Sequence, residues 1–182
     1  MSDQLPPTGT YVVDRNHSSV GFVARHLIGA KVRGKFREFD GEIEITDPPE
    51  NSSLRASAQV KTIDTGQEKR DAHLISSDFF DLEKYPAITL ESTQLKHIDG
   101  AQWRLSAELS LLGVARPIEF EVEYLGTGPG LRPGSTIAAF SATADIDRRD
   151  YGVTFSGAID SGGLIVGNKV TIELEIEAKL QS

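Results

Sequence analysis

Cysteine is absent from the chain, which excludes disulfide staples, thiolate nucleophiles and cysteine-ligated metal sites and fits a reducing compartment. Positive charge is in short supply as well. Lys and Arg number 19 against 27 Asp and Glu, a formal net charge of -8. Nucleic-acid binding depends on clustered cations that neutralise phosphates, so DNA and RNA are not expected partners, and an anionic membrane surface would repel the chain. No stretch approaches the ~20 consecutive apolar residues of a membrane-spanning helix, so stable membrane insertion is not expected. Residues 1–8, with Pro6 and Pro7, have neither the basic start nor the apolar run of a secretory signal. The expectation is a cytoplasmic protein with a flexible lead-in.

The 182 residues suit a single domain, since domains commonly run to about 100–200 residues. The 17 Gly and 8 Pro are scattered rather than gathered into a linker, and no internal repeat stands out. What the chain has in abundance is alternation. Ala101, Trp103, Leu105, Ala107, Leu109 and Leu111 alternate with polar residues, as do Ile118, Phe120, Val122 and Tyr124, and Val170, Ile172, Leu174 and Ile176. A period of two describes strands with one wet and one dry face. Further strands are expected over residues 11–13, 20–25, 31–39, 42–46, 54–62 and 137–146. Asp99 and Gly100 read as a hairpin turn joining the strand around Ile88 and Leu90 to the Trp103 strand, and residues 113–117 as another turn. Strands in succession without long helices pair antiparallel, and closing them into a barrel removes the sheet edges. The fold class is therefore all-β, an extended antiparallel barrel of about eight strands.

Two strands hold small residues on the face expected to point inward: Leu54, Ala56, Ala58 and Val60, and Ala138, Phe140, Ala142 and Ala144. Small inward residues leave room for a ligand in a barrel of this size; alternatively, bulky neighbours such as Trp103 and Phe120 fill that room.

One polar, partly helical insertion interrupts the strands near residues 66–82. Thr65, Gly66, Gln67 and Glu68 fit a capping box, which places a helix start just after Thr65. Arg70, Asp71 and His73 follow, and Pro86 then returns the chain to strand. Arg70 and Asp71 either anchor the insertion by charge-assisted hydrogen bonds or, with His73, meet a polar ligand head at a rim. Asp147, Arg148, Arg149, Asp150, Tyr151 and Gly152 form a second candidate rim cluster or a solvated charged loop.

The four histidines, His17, His26, His73 and His97, show no HExxH pattern or paired ligand spacing, so no metal is expected. His97, beside the Asp99 turn, is expected to be solvated. A Ser18, His17 and Asp14 or Asp71 set could be drawn as a hydrolase triad, but no G-x-S-x-G elbow is present and adjacent strand residues point apart. No catalytic residues are assigned, and an enzyme, a hydrolase or isomerase using His73 or His17, stands as the runner-up. The runs of Glu119, Glu121 and Glu123 and of Glu173, Glu175 and Glu177 read as solvated outer faces; were they adjacent, they would repel.

Taken in order, Tyr11, Val12, Val13 and Asp14 with His17 and Ser18; Gly34, Lys35 and Phe36 with Phe39, Asp40 and Gly41; RDAHLISSDFFDLEKYPAITLES; LSLLGVARP; DRRDYG; and VGNKVTIELEIEA resemble the YceI-like polyisoprenoid-binding family of lipocalin-like barrels. The likeness spans residues 11–178. It implies non-enzymatic binding, storage or transport of a long isoprenoid lipid, polyprenyl or quinone, in an apolar tunnel, with no other cofactor. Carried onto this sequence, it puts Asp14, His17, Arg70, Asp71, His73 and Arg148 near the ligand head. Strand alternation adds Phe22, Leu54, Ala58, Trp103, Leu105, Phe120, Ile137, Phe140 and Phe155 as tunnel lining or core. Family members often pair, so a homodimer is compatible with the resemblance, although no apolar patch in the sequence marks an interface. The chain departs from the family in lacking a secretory signal and in carrying Leu112 where relatives often have His.

Overall fold

A computed structural model describes residues 5–26, 29–156 and 166–181. Eleven strand segments follow one another: β1 (Gly9–Val13), β2 (Ser19–His26), β3 (Ala30–Phe36), β4 (Phe39–Ile45), β5 (Ser53–Gln59), β6 (Ile63–Asp64), β7 (Ala87–Asp99), β8 (Gln102–Leu111), β9 (Val114–Pro129), β10 (Thr136–Asp147) and β11 (Val166–Leu180). Among the described residues the one α-helix, α1, is Glu68–Leu74. All pairings are antiparallel. β1 and β2 lie end to end along β11, β4 and β3 pair with β1 and β2 respectively, and β5 and β6 pair with β4 and β3. Three pairs of segments are thus three interrupted strands, and with β7 to β11 they close a ring of eight. Chain neighbours are ring neighbours throughout.

The gap between β1 and β2 agrees with the separate strands expected over 11–13 and 20–25, but the other two interruptions were not legible in the alternation, and all three change which residues face in. Tyr11 and Val13 point inward from β1, but Val20, Phe22 and Ala24 do so from β2. Phe36 faces in from β3, whereas Phe39, Gly41, Ile43 and Ile45 do so from β4. The expected single strand over 31–39 therefore breaks at Arg37 and Glu38. There the Arg37 amide donates to the Thr62 carbonyl at 3.1 Å, and the Gln59 amide donates to the Glu38 carbonyl at 2.9 Å. The expected strand over 54–62 ends at Gln59 and turns through a 3-10 segment, Val60–Thr62. A one-residue change of phase exchanges the wet and dry faces, so each break redirects a strand without exposing its apolar residues.

The turn expected over 113–117 is tighter than that: Leu112 and Gly113 carry it, with φ of +51° and +70°, and Val114 already pairs with Leu111. Positive φ at both central residues is the hairpin geometry that matches strand twist. The two glutamate runs lie on β9 and β11, separated by β10, so that Thr143 stands between Glu121 and Glu173 and Ser141 between Glu123 and Glu175. They are not adjacent.

The insertion fills the gap between β6 and β7 at one end of the barrel, here called the insertion end. α1 begins three residues after Thr65, with Gln67 at its N-cap, and the capping box does not form. The Thr65 hydroxyl and amide instead donate to the Asp71 carboxylate at 2.5 and 2.9 Å, while the Arg70 Nε–H donates to the Thr65 hydroxyl at 2.7 Å and Nη2 to its carbonyl at 2.8 Å. Of the two roles open to Arg70 and Asp71, these bonds perform the anchoring one, tying α1 to the end of β6.

Candidate functional site

A cavity of about 300 Å³ runs within the barrel. Its walls come from nearly every strand: Phe22, Phe36, Phe39, Leu54, Ala58, Leu90, Leu105, Phe120, Phe140, Ala142, Ile172 and Leu174 among others. On β8 it is bordered from Trp103 to Leu111, about 27 Å along the strand and about 20 Å along the barrel axis at the usual strand tilt. The small residues on β5 and β10 make this room: Ala56 and Ala58 face it from one wall, Ala142 from another. Neighbouring bulky residues do not close it. Phe22 can lie back against β3 because Gly34 has no side chain; a Cβ there would come within 2.3 Å of the ring. From Phe22, aromatic contacts continue to Phe36 at 5.9 Å and to Phe80 of the insertion at 6.0 Å.

Of the expected lining positions, Phe22, Leu54, Ala58, Trp103, Leu105, Phe120 and Phe140 border this cavity. Ile137 does not, because it lies in the phase of β10 opposite to Ala138 and Phe140, which are buried inside. Phe155 does not either: it stands 37% exposed past the end of β10 and packs outside the tunnel against His73 and Phe79, at 4.9 and 5.2 Å. Phe79, Phe80, Leu74, Val153 and Val166 border the cavity at the insertion end. They were missed because they lie in turns and strand ends, where alternation carries no phase.

The six polar positions do not converge. Asp14 turns to the outer surface, where its carboxylate accepts from Lys179 Nζ at 2.6 Å, pairs with His17 Nδ1 at 2.9 Å and accepts from the Asn16 amide at 3.1 Å. His17 is exposed beside it. Ser18 is not directed at His17: its hydroxyl bridges the Glu177 carbonyl and amide at 3.1 and 2.9 Å. His73 is held edge-on by Phe79 and Phe155 and its Nε2 meets Asp78 at 2.8 Å, on the outer side of the insertion. His97 is not simply solvated, for its ring packs at a tilt against Trp103, with centroids 4.8 Å apart, and its Nε2 bonds the Gly100 carbonyl at 2.9 Å, bracing the hairpin turn. Among the described residues no three His, Asp or Glu gather as a metal site.

Arg148 is the one of the six that borders the cavity, and it is 4% exposed. The 147–152 run is not a solvated loop but a 3-10 turn, Arg148–Tyr151, with Arg148 and Tyr151 buried and Gly152 left-handed at its end. Asp147 caps it by accepting from the Arg149 amide and guanidinium, and those hydrogen bonds lower the Asp147 carboxyl to about 2. The Arg148 Nε–H donates to the Gly167 carbonyl at 2.9 Å, Nη1 to those of Val153 and Phe155 at 2.8 Å each, and Nη2 to that of Val166 at 3.3 Å. Burial lowers its pKa from the ordinary arginine value.

The Asp14 cluster carries a stability prediction. Hydrogen bonds from Lys179 and then His17 hold the Asp14 carboxyl well below the usual aspartate range. A carboxyl that is more acidic folded than unfolded stabilises the fold above the unfolded value of about 3.9, and this contribution fades as the pH falls below it. Asp14→Asn keeps the turn bond to Asn16 and removes the charge. It is expected to cost about 1–2 kcal/mol at pH 7, toward the low side because Lys179 is half-exposed, and progressively less below about pH 4. Urea unfolding at pH 7 and pH 3 checks it; an equal cost at both would rule out the charge as the cause.

A family model described as the YceI-like domain matches residues 11–178, and the chain belongs to that family. A UPF0312 protein of Staphylococcus aureus strain N315 is 32% identical over 169 residues, covering 92% of this chain and 95% of its own. In fold, the chain is similar to Burkholderia cenocepacia BcnA, with TM-score 0.79, 20% identity and coverage of 91% of this chain and 98% of that one. It is also similar to the Campylobacter jejuni YCEI protein, at 0.75, 24%, 87% and 90%. A polyisoprenoid binding domain from Saccharophagus degradans implicated in plant cell wall breakdown superimposes at 0.68, with 14% identity and coverage of 96% and 100%.

Proposed function

We propose that this protein binds a long-chain isoprenoid lipid, a polyprenyl chain or an isoprenoid quinone, and stores or carries it without chemical change. The observation that carries the reading is the apolar tunnel: a cavity of about 300 Å³ whose side chains are almost all hydrocarbon, bordered by polar Arg148 at the insertion end. A chain drawn from water into such walls gains about 0.8 kcal/mol per buried CH₂, which provides affinity with little demand on directional contacts. The solved polyisoprenoid binding domain of the same fold supports the cargo class. Head groups would sit beside Arg148 and tails would run toward Trp103 and Ile45.

The competing enzymatic reading draws less support from the geometry. His17 is paired with Asp14 on the outer surface and His73 faces Asp78 outside the tunnel, so neither is within reach of a bond inside it.

Native mass spectrometry of protein purified without detergent, followed by organic extraction, tests the reading. The expected result is a stoichiometric lipid adduct that extraction removes intact. Protein that is empty and also takes up neither added quinone nor polyprenol would overturn it.

A further inference from the structure

Arg148 is an unusual resident for this cavity. A guanidinium has five N–H donors; four are taken by the carbonyls of Gly167, Val153, Phe155 and Val166, which leaves one N–H on Nη2 without an acceptor among the described residues. None of these acceptors carries a charge. The neighbouring Asp147 hydrogen-bonds Arg149 and attracts Arg148 only through space, without contact. Among the described residues Arg148 makes no ion pair. Desolvating a cation is costly unless a counter-ion and good hydrogen bonds offset it. Carbonyl dipoles supply the hydrogen bonds, Asp147 supplies a through-space attraction, and no carboxylate among the described residues is in contact with the guanidinium.

A second unsatisfied group lies one residue beyond Phe155, whose carbonyl Arg148 holds. The Ser156 hydroxyl is shut off from solvent and has no hydrogen-bond partner among the described residues. Arg148 therefore brings a buried positive charge and one spare guanidinium N–H to the border of a tunnel otherwise walled by hydrocarbon; Ser156 itself does not border the tunnel.

We infer that the tunnel favours amphiphiles with an acidic head group, a carboxylate fitting best, over neutral ones of the same chain, and that Arg148 sets this preference. The inference rests on the lipid-binding reading above and narrows it. A quinone carbonyl or an alcohol can take the spare N–H, but only an anion also offsets the buried charge. One buried cation with a single free N–H suits a singly charged carboxylate, whereas a diphosphate would bring more charged oxygens than it satisfies.

The test uses the full chain after lipid extraction, titrated at pH 7 with three probes of one tail: geranylgeranoic acid, its primary amide and geranylgeraniol. The acid is expected to bind at least about tenfold more tightly than the amide and the alcohol, the difference between a charge-assisted and a neutral hydrogen bond. Equal or weaker binding of the acid would overturn the inference while leaving the lipid-binding reading intact. Binding of none of the three would overturn both. In Arg148→Gln the acid should lose its advantage over the amide and the alcohol; a preference that survives would remove Arg148 as its source. Because Arg148 also ties two strand ends together, a measurement on the unaltered protein stands beside the variant. The Arg148 side-chain N–H resonances should shift on addition of the acid, and their failure to move while it binds would equally overturn the assignment.

Discussion

Replacing Ala142 by Trp is expected to abolish uptake of a long isoprenoid chain while leaving the barrel folded. Ala142 faces the tunnel from the middle of β10, with Phe140 and Ile146 bordering it on either side along the strand. An eight-stranded barrel has an interior only wide enough for side chains or one slender ligand, so an indole projected across it occupies the path a tail would take. The space is already empty, so the added ring need not displace packed neighbours and the usual 1–3 kcal/mol cost of overfilling a core does not apply in full. Affinity for geranylgeraniol should fall by roughly 100-fold or more, as the burial of several CH₂ groups is forfeited, with near-unchanged circular dichroism and urea midpoint. Binding that survives in a folded variant would show that the chain lies elsewhere.

The largest effect on stability is expected at Tyr11. Its ring is 0% exposed and packs with Ile45, Tyr124, Ala138, Phe140 and Ala178, and its hydroxyl donates to the Pro7 carbonyl at 2.9 Å. Tyr11 also sits at the seam of the barrel, opposite both Leu180 and Ile43. Tyr11→Ala is expected to cost about 3–5 kcal/mol, the range for truncating a buried aromatic ring, against a total stability of about 5–15 kcal/mol for a domain. Tyr11→Phe, which loses the hydroxyl's bond alone, should cost about 1 kcal/mol. The two urea midpoints, read at constant slope, separate ring packing from hydrogen bonding. Similar costs for both variants would mean that the ring contributes little.

Much of the barrel was legible where side chains alternate without interruption. The strands around Trp103, Phe120 and Ile172 declared both their existence and their inward face, because one wet and one dry side leave a period of two. The small residues Ala56, Ala58 and Ala142 likewise announced a cavity, since volume missing from an inward face has to appear somewhere. Alternation separated residues 11–13 from 20–25 but gave no sign of the breaks after Phe36 and Gln59, because the change of phase there is a backbone event. Polar residues were harder still. Arg70, Asp71 and His73 looked like one constellation because they are close in sequence, but a short helix aims them at Thr65 and Asp78 instead of at one point. Arg148 was hidden in a charged run that composition alone would leave in water, and it is the turn capped by Asp147 that carries its side chain inside.

The five-residue strand β1 has a consequence for how the protein comes to be made. Its partners are β4, which follows soon after it, and the end of β11, nearly the whole chain away. Contacts so remote in sequence form late, because the intervening loop must lose its freedom before they yield anything. On the ribosome, where β1 emerges well before β11, it can pair with β4 but waits for β11 to be synthesised before its other edge is covered. Until that moment the nascent chain is an open sheet bordered by β1 with β2 on one side and β10 on the other, the form most exposed to pairing with another chain. Closure of the ring is thus tied to the synthesis of β11, and loss of its residues from Ala178 to Leu180 would leave β1 without its partner and the barrel with a permanent seam.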